Sequence, residues 1–255
     1  MHTYRYETHL HTLEASACAK SWAVDYILPY REAGYSGIIV TDHFFNGNTN
    51  IPASLSWEEQ VRRFCRGYEH AKARGDREGL SVFFGFEACF TEDEYLIYGL
   101  DKEWLLDNPS IMEWDQGTLF DEVDRVGALM IQAHPFRERS YNFGIHLHPY
   151  AVHGVEVVNG ANDVVFDQRA RCYAEQYGLS MTSGTDIHDV SKIGADTRGM
   201  AFDSPLSSIE EFIEAVKAKA HYTLLASPEH ANTPPPVEPD LPVHLFERTD
   251  KKRRA

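Results

Sequence analysis

Short apolar runs alternate with amphipathic helical segments along most of this chain, and that alternation restricts its fold more than any other feature. "GIIVTDH" (37–43), "LSVFFGFEACF" (80–90), "ALMIQAH" (128–134), "GVEVVN" (154–159) and "LSMTSGTD" (179–186) are runs of strand length, most of them β-branched or aromatic. Nearly continuous apolar character marks strands covered on both faces, as in a parallel sheet. "YRYETHL" (4–10), "EYLIYGL" (94–100) and "YTLLAS" (222–227) read as further strands. Between them fall helical patterns at 19–34, 56–75, 116–127, 164–178 and 208–220. Ser56, with Glu59 three residues on, forms a capping-box start, and Gly34 stands where a helix stops. Strands alternating with helices predict an α/β chain with a mainly parallel sheet or barrel.

No linker interrupts residues 1–226, so one domain is expected there. From Ser227 the sequence becomes proline-rich and loses periodicity, which predicts an extended tail over 227–255, packed in part through Leu245 and Phe246. Its basic end, "KKRR", reads as a solvated terminus. A chain of 255 residues is long enough for a single α/β barrel.

No apolar run reaches the roughly 20 residues that span a bilayer, and the polar start "MHTYRYETHLH" is unlike a signal peptide. No membrane partner is therefore expected. The four cysteines are scattered without a Cys-X-X-Cys pair, which points to a reducing, cytoplasmic setting. The net charge of −15 argues against a nucleic-acid polymer as partner. It also means that any anionic substrate needs metal ions or placed arginines to reverse the local field. Composition does not address oligomeric state.

Polar residues are concentrated where the strands end, which is where parallel α/β folds carry their chemistry. His9 and His11 end the first strand, Asp42 and His43 the second; Glu87, His134, Glu156, Asp186 and His188 occupy comparable positions further on. Residues i and i+2 of a strand share a face, so His9 and His11 are either paired ligands or a polar strand face. Imidazole and carboxylate together suit zinc, manganese or iron. Any one of these residues has an ordinary structural explanation; their recurrence at successive strand ends favours a metal centre.

The ordered set His-X-His, "TDH", "GFE", "AHP" and "GTDIH" resembles the PHP superfamily, named for polymerase and histidinol phosphatase domains, over residues 4–226. "HLHTLEAS", "GYSGIIVTDHF", "EYLIYGL" and "QAHPFR" are similar to its stand-alone bacterial phosphoesterases. The resemblance implies a distorted (β/α)7 barrel in a single domain, with two or three divalent metal ions (Mn, Fe or Zn) at the strand ends. It assigns His9, His11, Glu87 and Asp186 to one metal, Glu87 and His134 to a second, and His43 and His188 to a third. Relatives carry a histidine on the strand "EYLIYGL" that this sequence lacks. They also carry an Asp or His shortly after the His-X-His pair, where Glu14 is the ligand-capable group here and becomes the candidate.

The implied activity is hydrolysis of a small phosphorylated metabolite by attack of metal-bound hydroxide on phosphorus. Sugar or nucleotide phosphate esters are candidates, as is a ribose cyclic phosphodiester opened and then dephosphorylated. A histidinol-phosphate phosphatase and an amidohydrolase-type metallohydrolase are the alternatives. Arg137 is the candidate phosphate clamp, with Arg198 and His148 as further substrate-binding candidates. Asp42 is a candidate proton donor to the leaving oxygen. His148 belongs to a second His-X-His, "GIHLHPY", read as a substrate-facing lid or plain surface.

Overall fold

Strand β1 (Tyr4–Leu10) runs parallel to β2 (Tyr35–Val40), and β2 runs parallel to β3 (Ser81–Phe90), with α1 (Ile27–Glu32), α2 (Trp57–Phe64) and α3 (Arg66–Glu78) in the connections. The computed structural model describes residues 3–140, 142–194, 197–232 and 238–247. β3 turns tightly into β4 (Asp93–Tyr98), which is antiparallel both to β3 and to β5 (Leu129–Gln132). The helices α4 (Lys102–Asp107) and α5 (Gln116–Arg125) lie between β4 and β5. After β6 (Ile145–Leu147) come β7 (Gly154–Asn159), α6 (Val164–Tyr177) and β8 (Ser180–Gly184), which restore the parallel order. The chain continues through β9 (Gly199–Phe202), α7 (Ile209–Ala218), β10 (Tyr222–Leu225), α8 (Pro228–Asn232) and β11 (Val243–Leu245).

The main sheet has the order β10-β9-β1-β2-β3-β4-β5-β7-β8. Its ends meet: just beyond β8, Ile187 bridges Leu10 of β1, Asp186 N donates to His9 O (2.9 Å) and His11 N donates to Ile187 O (2.9 Å). The result is a nearly closed barrel of seven strands, distorted by the single antiparallel strand β4. β9 and β10 extend it from the outer edge of β1, antiparallel to each other.

Buried apolar clusters fill the layers between sheet and helices. One joins Leu10, Ile38, Val40 and Val82 to Tyr26, Ile27, Tyr30 and Ala71 on the α1–α3 side. Another joins Phe44, Phe86 and Ile97 to Val61, Phe64, Leu119 and Val123. Inside the barrel, the Tyr98 hydroxyl donates to Thr8 O across 2.8 Å.

Three local departures from the sequence reading have physical causes. The helix expected over 19–34 begins only at Ala23, as a 3-10 turn, because the preceding backbone is used elsewhere: Leu13 N donates to Ser21 O and Lys20 N to His188 O. The helix expected over 56–75 is two segments meeting at Cys65, capped at Ser56 as predicted, and it runs on to Glu78. Gly67 lies where a Cβ would sit 2.8 Å from Thr12 Oγ1, so its lack of a side chain lets α3 press against the loop after β1. β9 has no period-2 pattern to announce it. Its first residue, Gly199 (φ +132°), approaches Tyr6 O to a distance that no Cβ could share.

Part of the tail folds back: β11 pairs in parallel with β6, and Phe246 N donates to Leu147 O. Leu245 and Phe246 remain about half exposed there. The proline run 234–236 and the basic end 251–254 lie outside the described residues. Among the described residues no helix is long and apolar enough to cross a membrane.

Candidate metal centre

The carboxyl ends of β1, β2, β3, β5 and β8 converge on one point. His9 and His11, both fully buried, bring their Nε2 atoms within 3.1 Å of each other. Asp186 Oδ1 lies 3.5 Å from His9 Nε2 and 3.3 Å from His11 Nε2. Glu87 sits centrally, with Oε1 at 3.3 Å from His9 Nε2 and 3.2 Å from His134 Nε2, and Oε2 at 2.8 Å from His43 Nδ1. The His188 ring stacks on His11 with centroids 4.2 Å apart. Among the described residues, four groups have ligand atoms close enough to share an ion: His9–His11–Asp186, His9–Glu87–His134, His43–Glu87–Glu94 and His11–His43–His188.

The rings are held in place from behind. His9 Nδ1 is 3.0 Å from Glu156 Oε1, and Asn159 Nδ2 donates to the other oxygen of Glu156 at 2.8 Å. When the ring is neutral, as a metal ligand must be, that contact favours the tautomer in which His9 Nε2 presents a lone pair to the cluster. His11 Nδ1 contacts Ser16 Oγ (3.1 Å), and Ser16 in turn donates to Asp42 (2.6 Å). The backbone also bends to suit: His134 (φ 29°) and Asp186 (φ 58°) both adopt left-handed conformations that side-chain-bearing residues rarely take.

Burial opposes every charge in this cluster, and the neighbours decide the outcome. Despite burial, Glu87 is held well below the usual carboxylate range by His9 and His43, and Asp186 by His9 and Arg137. Against the same penalty, Glu156, Asp186 and Glu87 raise His9 well above the ordinary imidazole range, and Glu87 with Cys18 raises His43 to about 11. Burial, with His43 and His188, pushes His11 well below its usual value. Burial and the nearby Glu87 raise Glu94. Concentrating so many ionisable groups in a dry site costs several kcal/mol per uncompensated charge, the mark of a functional site.

The donor set fits divalent cations. His43 Nδ1 and Glu87 Oε2 are buried without a hydrogen-bond partner, and imidazole nitrogen and carboxylate oxygen converge as ligands of a divalent cation do.

Several residues stand elsewhere than the sequence reading placed them. Glu14 turns away from the centre: its Oε2 accepts from Ala23 N (3.0 Å), one of the free N–H groups at the start of the 3-10 turn, and it joins none of the ligand groups. Asp42 is not positioned as a proton donor, because its oxygens accept from Thr12 N, Thr12 Oγ1 and Ser16 Oγ, each at 2.6 Å. Burial nevertheless brings it up to about 6. Arg137 reaches the centre but spends Nη2 on Asp186 (2.6 Å) and Asn159, and Nε on Asn162. It is first a brace for Asp186.

Arg198 supports the barrel seam through its backbone, which engages Thr185 and Tyr35, and it does not line the cavity beside the cluster. His148 is also outside that lining. It contacts Asp93 (3.2 Å) and is covered by Phe246, stacked at 4.6 Å.

Two residues of the site escaped the sequence reading. Glu94 opens "EYLIYGL" and occupies the strand on which a histidine was missed; its Oε2 is 3.5 Å from His134 Nε2 and its Oε1 is 3.9 Å from His43 Nδ1. The signal was there, in a carboxylate at a strand start facing the tight turn after Glu87. Cys18 lies against His188 and His43, whose hydrogen bonds outweigh burial and bring its thiol down to about 6. No spacing rule points to it.

No family model matches the chain, and no curated protein matches it significantly. Solved structures do. A two-domain protein from Bacteroides vulgatus, containing a predicted PHP-like metal-dependent phosphoesterase, superposes with a TM-score of 0.66 at 16% identity over 88% of this chain and 65% of its own. This chain has the PHP-like fold. It spans just under two thirds of that protein's length. PsfC from Pseudomonas syringae superposes with a TM-score of 0.57 at 17% identity, over 91% of this chain and 95% of its own.

The lesion-specific endonuclease Q from Pyrococcus furiosus has the same fold at a TM-score of 0.56 and 10% identity, over 88% of this chain and 58% of its own. Endonuclease Q has also been solved with a 27-mer duplex substrate, an abasic lesion at the active site. That complex overturns the exclusion of nucleic-acid polymers drawn from net charge. The net charge sums the whole surface, whereas binding depends on the local field where a ligand docks.

Proposed function

We propose that this protein is a metal-dependent phosphoric ester hydrolase acting on a small phosphorylated metabolite. The observation that carries this reading is Glu87, whose two oxygens face His9 and His134 on one side and His43 on the other. A carboxylate so placed can be shared between neighbouring cations, as in sites that clamp the attacking and leaving oxygens of a displacement at phosphorus.

His9, His11, Glu87 and Asp186 would hold one cation; Glu87, His134 and Glu94 a second; His43 and His188 a third. When bound, divalent cations supply Lewis acidity toward a phosphate oxygen and bring the ionisation of water toward neutral pH. The remaining work falls to the chain itself. Glu156 holds the His9 tautomer, Asp42 holds Ser16 and through it His11, and Arg137 keeps Asp186 ionised and aimed. A cavity of about 240 Å³ adjoins the cluster and shares His134, Glu94 and Arg137 with it. It is smaller than the pockets that enclose drug-sized ligands, which favours a compact alcohol portion.

The test is ester hydrolysis by metal-stripped protein reloaded with Mn, Fe or Zn, read as phosphate release from monoesters and as ring opening or strand cleavage of diesters. The panel comprises sugar phosphates, nucleotides, histidinol phosphate, ribose cyclic phosphates and an abasic-site duplex. Turnover of a small ester above the duplex is expected. Failure on every ester with metal demonstrably bound would overturn the reading, and hydrolysis of an amide would favour the amidohydrolase-type alternative.

A further inference from the structure

We infer that the cavity beside the metal centre is a subsite for the leaving alcohol, and that Gln132 selects alcohols bearing further hydroxyl groups. The inference rests on the phosphoesterase reading for the reaction, but the subsite itself rests on separate observations.

Gln132 ends β5 two residues before His134. It is 1% exposed, and it lines the cavity together with Glu94, Arg137 and Asn142. The amide orientation is set by its other end, because Nε2 donates to the His146 carbonyl at 2.7 Å. Oε1 is therefore the free end, and it is buried with no hydrogen-bond partner. A buried carbonyl oxygen in that state is destabilising unless something donates to it. Asn142, also in the lining, carries a second unpartnered buried oxygen, Oδ1. Two orphaned acceptors on residues lining one small cavity call for a ligand with donors.

The acidic lining does not turn this into a cation site. Glu92 Oε2 already accepts from Phe143 N (2.8 Å) and Gly144 N (3.2 Å), and Asp93 is engaged by His146 (2.9 Å) and His148 (3.2 Å). With those carboxylates committed, the unmet demand is for neutral donors. Hydroxyl groups meet it, and each can also accept from a neighbour. His134 and Arg137 belong to both cluster and cavity. A phosphate at the cluster would thus direct its ester oxygen, and the carbons beyond it, toward Gln132.

Glycerol 1-phosphate and n-propyl phosphate share the phosphate and the carbon chain and differ only in hydroxyls, so their ratio of kcat/KM reads the subsite directly. The expected ratio is about tenfold or more in favour of the glycerol ester, since a site with unpaired polar groups discriminates against an analogue lacking the matching hydroxyl. Gln132→Met is expected to reduce that ratio several-fold with metal content and Tm preserved. Asn142→Leu, at a partly exposed loop position, gives the second reading if Gln132→Met does not fold.

A ratio near one in the native protein, or a ratio unmoved in the folded variants, overturns the inference. So does a clear preference for ethanolamine phosphate, which carries an ammonium instead. If neither ester is hydrolysed, the phosphoesterase reading rests on the wider ester panel while the subsite is still decided. Calorimetric binding of the two esters to metal-loaded protein should then favour glycerol 1-phosphate, and equal affinities would overturn it.

Discussion

His43 Nδ1 and Glu87 Oε2 approach to 2.8 Å, yet both count among the buried polar atoms with no hydrogen-bond partner. Their contact is close without being aligned, as when two donors point at a common third position. Glu87 makes similar contacts with His9 and His134 through its other oxygen. The carboxylate is the hub of the cluster, and most of what can be tested about the site follows from it.

Replacing Glu87 should therefore remove more than one cation. Glu87→Ala is expected to lose at least two equivalents of bound metal by elemental analysis, whereas His188→Ala, at the edge of the cluster, loses no more than one. Equal losses from the two variants would contradict the hub role.

Glu94 lies on β4 with Oε2 3.5 Å from His134 Nε2. Glu94→Ala should weaken one of the bound cations about 10–100-fold, in the range seen when a metal site loses a ligand's support. Glu94→His should recover most of that affinity. Competition with a chelator of known affinity measures both.

Arg137 and Asp186 form a buried pair at 2.6 Å. In metal-stripped protein, Arg137→Met leaves the Asp186 carboxylate without its cation and is expected to destabilise the fold by about 3–5 kcal/mol in urea unfolding. Arg137→Lys retains the charge but not the fork that also reaches Asn159 and Asn162, and should fall between native and Met.

The Cys18 thiol, lowered to about 6 through His188 and His43, should remain a thiolate well below the range of a free cysteine. In metal-stripped protein its alkylation by iodoacetamide, followed by peptide mass spectrometry, should stay fast down to about pH 6 and slow below it. In urea-unfolded protein the same peptide should slow already below about pH 8.5. The sign follows from the fold stabilising the ionised form: that contribution is present above the unfolded value and is lost as pH falls through about 6.

Much of the site was legible because strands impose order on sequence. His9, His43, Glu87, His134 and Asp186 each follow or end an apolar run, and parallel strands carry such residues to one rim. What was not legible depends on geometry that a linear pattern cannot carry. Glu14 and Asp42 have the right chemistry and lie close in sequence to true cluster residues. Backbone N–H groups and hydroxyls had first claim on their oxygens. Cys18 reaches the histidines only because the loop after β1 is tied to the His188 backbone through Lys20 N. β9 stayed hidden because its pairing with β1 is specified by close approach at Gly199, not by alternating hydrophobicity.

The barrel seam is stitched by the cluster itself, with Asp186 N on His9 O and Ile187 bridging Leu10. Closing the sheet and gathering the ligands are therefore one event viewed from the backbone and from the side chains. A cation that binds only the closed form draws the seam shut by mass action. Stripping the metal should lower Tm and, in hydrogen exchange, release the amides of Asp186 and His11 before those of the β2–β3 ladder. The protein's thermal endurance then becomes a readout of its metal supply.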